Sequence, residues 1–172
     1  MPSVGVFVAP NLAVGTGIGY HNGKSAKNEF YSEDSSYSNH ATFTNETTSF
    51  SVAPFVRKYW ILSENLYIFG HLEIPVEIGK ENWGVNAVFM DPTNGFYHTQ
   101  SMSIEKKYTA FGVNIKPGLD YFVNKNWSIE ATIGEFGYRH LKIKDQEKGT
   151  NDFNLGINLS SVTFGVKYVF AK

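Results

Sequence analysis

The chain has 172 residues, a single-domain length, with a formal net charge of -1 and no cysteine. Near-neutral charge excludes the basic footprint of a nucleic-acid binder, and the lack of cysteine excludes disulfides, thiolate metal sites and a cysteine nucleophile. Aromatic residues reach 16% while charged residues are only 18%, a poor fit to a soluble surface, and no apolar run is long enough for a membrane-spanning helix.

Met1-Pro2-Ser3 leads straight into strand, with neither a basic nor an apolar leader segment. From there, period two dominates. Val4-Gly5-Val6-Phe7-Val8 reads as the end of a strand, followed by the tight turn Ala9-Pro10-Asn11. Leu12, Val14, Thr16, Ile18 and Tyr20 then alternate with Ala13, Gly15, Gly17 and Gly19. Residues 21–46 are polar, contain the turn former Asn22-Gly23, and are expected to be a long loop. Phe50, Val52, Pro54 and Val56 alternate with Ser51, Ala53, Phe55 and Arg57, up to a second tight turn at residues 62–65. One face of the next strand reads Leu66, Ile68, Gly70, Leu72, Ile74, Val76 and Ile78; the other reads Tyr67, Phe69, His71, Glu73, Pro75 and Glu77.

Residues 81–105, with Asp91-Pro92 and Asn94-Gly95, are expected to be a second long loop. Phe111, Val113, Ile115, Pro117, Leu119, Tyr121 and Val123 alternate with Gly112, Asn114, Lys116, Gly118, Asp120 and Phe122, ending at the turn Asn124-Lys125-Asn126. The strand opening at Trp127 places Ile129, Ala131 and Ile133 on one face and loses phase at Gly134-Glu135-Phe136-Gly137-Tyr138, which predicts a bulge. Residues 144–157 form the third expected loop, and Val162, Phe164, Val166, Tyr168 and Phe170 line one face of the last strand.

The three tight turns share a frame: an aromatic, a short polar turn ending in Asn, then an apolar residue. Tyr59, Trp60, Tyr121, Trp127, Tyr168 and Phe170 beside them suit a membrane–water girdle, since these rings bury an apolar body and keep a polar handle wet. Turn packing in a soluble barrel is the alternative.

Val4-Gly5-Val6-Phe7, Phe55-Val56-Arg57-Lys58-Tyr59, Gly118-Leu119-Asp120-Tyr121-Phe122 and Phe164-Gly165-Val166-Lys167-Tyr168-Val169-Phe170 resemble the small outer-membrane β-barrels of Gram-negative bacteria, the OmpA/OmpX-like and porin-like barrels. The resemblance covers nearly the whole chain (1–172, one domain) outside the long loops. It implies an all-β, antiparallel up-and-down transmembrane barrel of eight strands in the cell envelope. The first strand and part of the second would then lie upstream of this chain, and the gene product would be longer. It also implies outer-membrane lipid and the outer-membrane assembly machinery as partners, with an extracellular or envelope protein as a further partner through the loops, and no nucleic acid. The family's closing aromatic corresponds to Phe170, although Ala171 and Lys172 follow it here.

Alternation alone does not choose the lipid side. The non-apolar face is crowded with small residues and carries Arg57, Glu73, Glu77, Lys116, Asp120, Glu130 and Lys167, which suits a narrow, ion-paired interior. Lys58 falls on the apolar face, next to a turn, where it can snorkel. A soluble lipocalin-like carrier would reverse the faces. A small porin-like channel would keep them but leave the lumen open.

No catalytic, cofactor or metal residue is expected. His21, His40, His71, His98 and His140 lack metal-pair spacing, and His71 is expected to bond Glu73 structurally. Gly15-Thr16-Gly17-Ile18-Gly19 runs into a turn pattern rather than a helix, so it reads as a glycine-lined strand and not as a dinucleotide loop. Ser35, Ser36, Ser160 and Ser161 lack a nucleophile setting, and Ser32-Glu33-Asp34-Ser35-Ser36 lacks the spacing of a calcium loop. The expected function is a non-enzymatic barrel with a structural, adhesive or accessory role. Its outward aromatics Phe30, Tyr31, Tyr37, Trp83, Phe89, Phe96 and Tyr97 either bind partners or cap the barrel.

Overall fold

The computed structural model describes residues 1–34, 37–90, 93, 95–156 and 162–170, with the side chains of residues 30–34 and 37–39 left undescribed. The regular structure is all strand: β1 (Ser3–Ala9), β2 (Leu12–Asp34), β3 (Tyr37–Ile61), β4 (Leu66–Glu73), β5 (Val76–Met90), β6 (Tyr97–Phe122), β7 (Trp127–Ile133), β8 (Glu135–Ile143), β9 (Thr150–Gly156) and β10 (Val162–Tyr168). The sheet follows chain order, β1-β2-β3-β4-β6-β7-β10. β5 pairs with β3 and β6, while β8 pairs with β6 and β9. Every pairing is antiparallel.

Among the described residues ten strands form, not eight, and the registers explain the count. β4 and β5 pair with β3 and β6 in one unbroken register and are split only by Ile74 and Pro75. Pro75 has no N–H for the ladder, yet its carbonyl still accepts from Gly112, and Ile74 N–H donates to Pro54. β7 and β8 are split at Gly134, whose φ is 79°. There β6 switches partner from β7 to β8, and one extra residue is taken up on the β7–β8 side. This is the bulge that the phase loss announced. β9 and β10 continue the arrangement, against β8 and β7 respectively. The ten strands therefore lie along seven staves.

The sheet curls strongly. Arg57 on β3 reaches Glu130 on β7, and Lys167 on β10 reaches Tyr59 on β3. Among the described residues, however, β1 and β10 are not paired, so the sheet keeps two free edges.

The three tight turns fall where expected, between β1 and β2, β3 and β4, and β6 and β7. Asn11 takes the left-handed conformation at φ 59°, which Asn tolerates better than most residues. The long connections differ from expectation. Most of 21–46 and 81–105 is strand: β2 and β3 stay paired from Leu12↔Lys58 to Asp34↔Tyr37, and β5 and β6 up to Met90↔Tyr97. Asn22-Gly23 lies inside β2, not in a turn. Polar alternation of Thr, Asn and Lys supports a two-sided wet ribbon as well as a loop, and composition does not separate the two. Asp91, Pro92 and Asn94 lie outside the described residues.

β2, β3, β5 and β6 thus project as a four-stranded wall beyond the other staves. Within the wall the polarity of the two faces is reversed. Phe43, Val85 and Met102 form one row, with Asn45, Trp83 and Ile104 beside it, all on the side that continues the interior. The opposite side carries Thr44, Gly84 and Ser103, then Glu46, Asn82 and Glu105.

Candidate functional site

Alternation sorts the lower part of the sheet into two unlike faces. The buried positions include Ala13, Ser49, Ala53, Tyr59, Phe69, His71, Glu73, Tyr108, Ala110, Asp120 and Ser128. The exposed large apolar side chains include Ile18, Val52, Val56, Ile68, Leu72, Ile74, Val76, Ile78, Phe111, Val113, Ile115, Ile129, Phe164 and Val166. The enclosed face is small, polar and charged; the outer face is apolar.

The interior ion pairs form tiers. Nearest the tight turns, Arg57 bonds Glu130 at 2.5 Å, and Lys167 pairs with Asp120 and, at 3.4 Å, with Glu130. Asp120 and Glu130 are direct cross-strand neighbours, so two carboxylates share one level and need both cations. Arg57 also lies 4.4 Å from the Phe69 ring centre, and Lys167 lies 4.7 Å from that of Tyr59, so both cations rest on aromatic faces.

The next tier joins His71, Glu73, Asn114, Lys116 and Glu135. Arg57 Nε, which can only donate, lies 3.0 Å from His71 Nδ1. Nδ1 must therefore accept, and the ring proton sits on Nε2, 3.1 Å from Glu73 Oε2. His71 is thus a neutral relay in a structural network. Glu73 also accepts from Lys116 at 2.7 Å and from Asn114 at 3.0 Å, while Lys116 reaches Glu135 at 3.1 Å. Highest lies Glu77, which accepts from Tyr108 at 2.8 Å and from Arg139 at 2.9 Å.

All seven charges expected on the inner face are paired there. The sequence reading missed Arg139 and Glu135 because both follow Gly134. The bulge moves the inward set by one residue, which brings Arg139 opposite Gly112 and turns Phe136 and Tyr138 outward. An open cavity of about 420 Å³ beside this tier is lined in part by Pro75, Glu77, Asn114, Tyr138, Arg139 and Asp152.

The outer face has two sharp limits. At the upper one, Tyr20, Phe50, Ile78 and Thr109 are successive register partners. Two residues further up, the same staves carry Asn22, Thr48, Lys80 and Lys107. At the lower limit stand Trp60, Tyr121, Trp127, Tyr168 and Phe170, all exposed, with Trp127–Tyr168 and Tyr168–Phe170 ring centres 4.9 Å apart. Tyr59 does not belong to this girdle: it points inward, is buried, and supports Arg57 and Lys167. Aromatics also mark the upper limit, at Tyr20 and Phe50. Lys58 stands beside its turn with Nζ 3.4 Å from Pro10 C=O.

Gly15, Gly17 and Gly19 line the inner face of a strand, as read. A side chain at Gly15 would run into the Phe55 ring and the Val4 carbonyl. His71 and His140 lie on opposite faces: His71 is interior, whereas His140 lies outward against Phe111 and Asn151. Among the described residues no three His, Asp or Glu side chains converge in a way that could hold a metal. Ser35, Ser36, Ser160 and Ser161 lie outside the described residues.

No protein-family model matches this sequence, and comparison with curated proteins finds no significant relative.

Proposed function

We propose that the chain is the membrane-embedded part of an outer-membrane β-barrel of the eight-stranded kind, without enzymatic activity, which holds a strand-built wall outside the bilayer in a structural, adhesive or accessory role. One observation carries this reading: a belt of exposed apolar side chains surrounds an interior of paired charges and ends abruptly at one polar level. Phe50 to Trp60 covers roughly 33 Å of strand, or about 25 Å when tilted as barrel strands are, which is the height of a bilayer's apolar layer. A soluble carrier of apolar ligands needs the opposite arrangement, with its aliphatic face inside. The contact between β3 and β10, four staves apart, is what an eight-stave barrel places at opposite ends of a diameter.

The paired interior also favours a filled lumen over a pore. The exposed wall residues Phe43, Trp83, Met102 and Ile104 supply apolar contact area for an extracellular or envelope partner.

The test is refolding in detergent followed by gel mobility with and without boiling. The reading expects a compact fast band that slows on boiling, and no stable protein without detergent. A chain that stays monodisperse in plain buffer overturns it. Large, steady single-channel currents would overturn the filled lumen.

A further inference from the structure

At the upper limit of the apolar belt the outward cations gather on one side. The register row there carries Asn22 on β2, Thr48 on β3, Lys80 on β5 and Lys107 on β6. Lys144 joins the row, since its N–H donates to the carbonyl of Lys107. Lys142 stands one step lower on the same face, opposite Thr109. All of these lysines are exposed.

One carboxylate answers them. Glu105 lies 3.4 Å from Lys80 Nζ and 3.6 Å from Lys107 Nζ, so it is shared between the two. Among the described residues Lys142 and Lys144 have no ion pair, and the turn residues Asp145, Glu147 and Lys148 are not ion-paired to any lysine of the row. Lys24, one row higher on β2, is matched by Glu46.

Lys80 and Lys107 are direct cross-strand partners, a placement in which like charges repel and weaken the sheet. Lysines that served only to keep the belt's edge wet would be spread around it, yet β2 and β3 carry Asn22 and Thr48 at this level. An anion between the ammonium groups removes the repulsion, and a phosphate accepts charge-assisted hydrogen bonds from several of them at once. Directly beneath the row, Ile78, Val76, Phe111 and Val113 are exposed. Ile78 is two residues below Lys80, about 7 Å along a strand. A lipid whose phosphate rests on the lysines lays its acyl chains over these side chains; a free phosphate or an acidic peptide makes no use of them.

We propose that Lys80, Lys107, Lys142 and Lys144 form a binding site for the phosphate of an anionic lipid in the leaflet on the wall's side, with its acyl chains against Ile78, Val76 and Phe111. The site rests on the membrane-barrel reading.

The chain is refolded into phosphatidylcholine vesicles that hold a trace of spin-labelled lipid, either phosphatidic acid or phosphatidylcholine. The protein-bound fraction of the label is read by electron paramagnetic resonance. Phosphatidic acid is expected to be held about tenfold more tightly than phosphatidylcholine, and Lys80→Gln with Lys107→Gln to remove most of that preference. The control pair Lys24→Gln with Lys58→Gln removes the same charge from other staves and is expected to keep it. If the first pair loses the boiling-induced shift, Lys142→Gln with Lys144→Gln is read in its place. No preference for phosphatidic acid, or an equal loss in the control pair, overturns the site. Release of the labelled phosphatidic acid by inorganic phosphate at constant ionic strength means that the lysines read a free phosphate, and overturns the lipid assignment. A chain that does not enter the vesicles overturns the membrane reading and the site with it; a chain that enters and shows no preference overturns the site alone.

Discussion

Arg57 illustrates what a single interior residue does. Its guanidinium bonds Glu130, His71 and Tyr59 and stacks on Phe69, with its side chain 13% exposed. Arg57→Ala leaves Glu130 short of a cation and His71 Nδ1 without a donor, which should cost about 3–5 kcal/mol. Lys24→Ala breaks an ion pair with Glu46 that stands in solvent and should cost about 0–1 kcal/mol. Urea titration of the boiling-sensitive band reads both values, and equal costs would show that the interior network is not enclosed. His71 offers a finer check. It accepts at one nitrogen and donates at the other, so His71→Gln, which can also do both, should retain more stability than His71→Leu in the same titration.

Gly134 acts at the scale of the element. Its left-handed φ of 79° lets β7 end and β8 begin one residue out of phase, which turns Arg139 inward towards Glu77. Gly134→Val should destabilise by about 1–2 kcal/mol, since a β-branched residue strains at that φ. Deleting Gly134 should cost more, because Phe136 and Tyr138 would then turn inward and Arg139 outward; a deletion that unfolds at the wild-type urea midpoint would refute the phase role. The phase break itself was legible in the sequence, because Ile129, Ala131 and Ile133 stop alternating there. So were the tight turns, the inner charges and the pairing of His71 with Glu73. Three things were not. Arg139 and Glu135 lie past the bulge, where the alternation had been lost. The inward turn of Tyr59 was masked by its neighbour Trp60, since either ring suits a girdle. The projecting wall was hidden because Thr44, Asn45, Glu46 and their partners face water, where no burial pattern distinguishes strand from loop. Because the ion pairs lie below Tyr20 and Phe50, replacing residues 25–45 with a short Asn-Gly turn should leave the boiling-induced shift intact, and its loss would mean that the wall holds the staves together.

For the whole molecule, everything depends on which medium meets the apolar face. Leu72 stands in one outward row with Val56 and Ile115, midway between the polar level above and the aromatics below. Thr44 faces the same way on the wall, well above Phe50. In water these two positions are equivalent: a lysine at either meets solvent, and a surface substitution of that kind changes stability by only about 0.5 kcal/mol. Against lipid they differ sharply. A cation at the bilayer midplane costs about 2–4 kcal/mol, falling towards zero at the interface, so Leu72→Lys should lose that much while Thr44→Lys loses almost nothing. Intermediate positions make the comparison quantitative. Ile78→Lys, at the upper limit of the belt, should fall near Thr44→Lys, because its ammonium can reach the level of Lys80. A series of unfolding titrations in lipid vesicles would trace this profile. A cost that peaks at Leu72 and fades at Ile78 fixes both the orientation of the faces and the depth of the chain in the bilayer. A flat profile means that the outer face meets water, and then the belt of Val, Ile and Phe would have to be covered by protein instead of lipid.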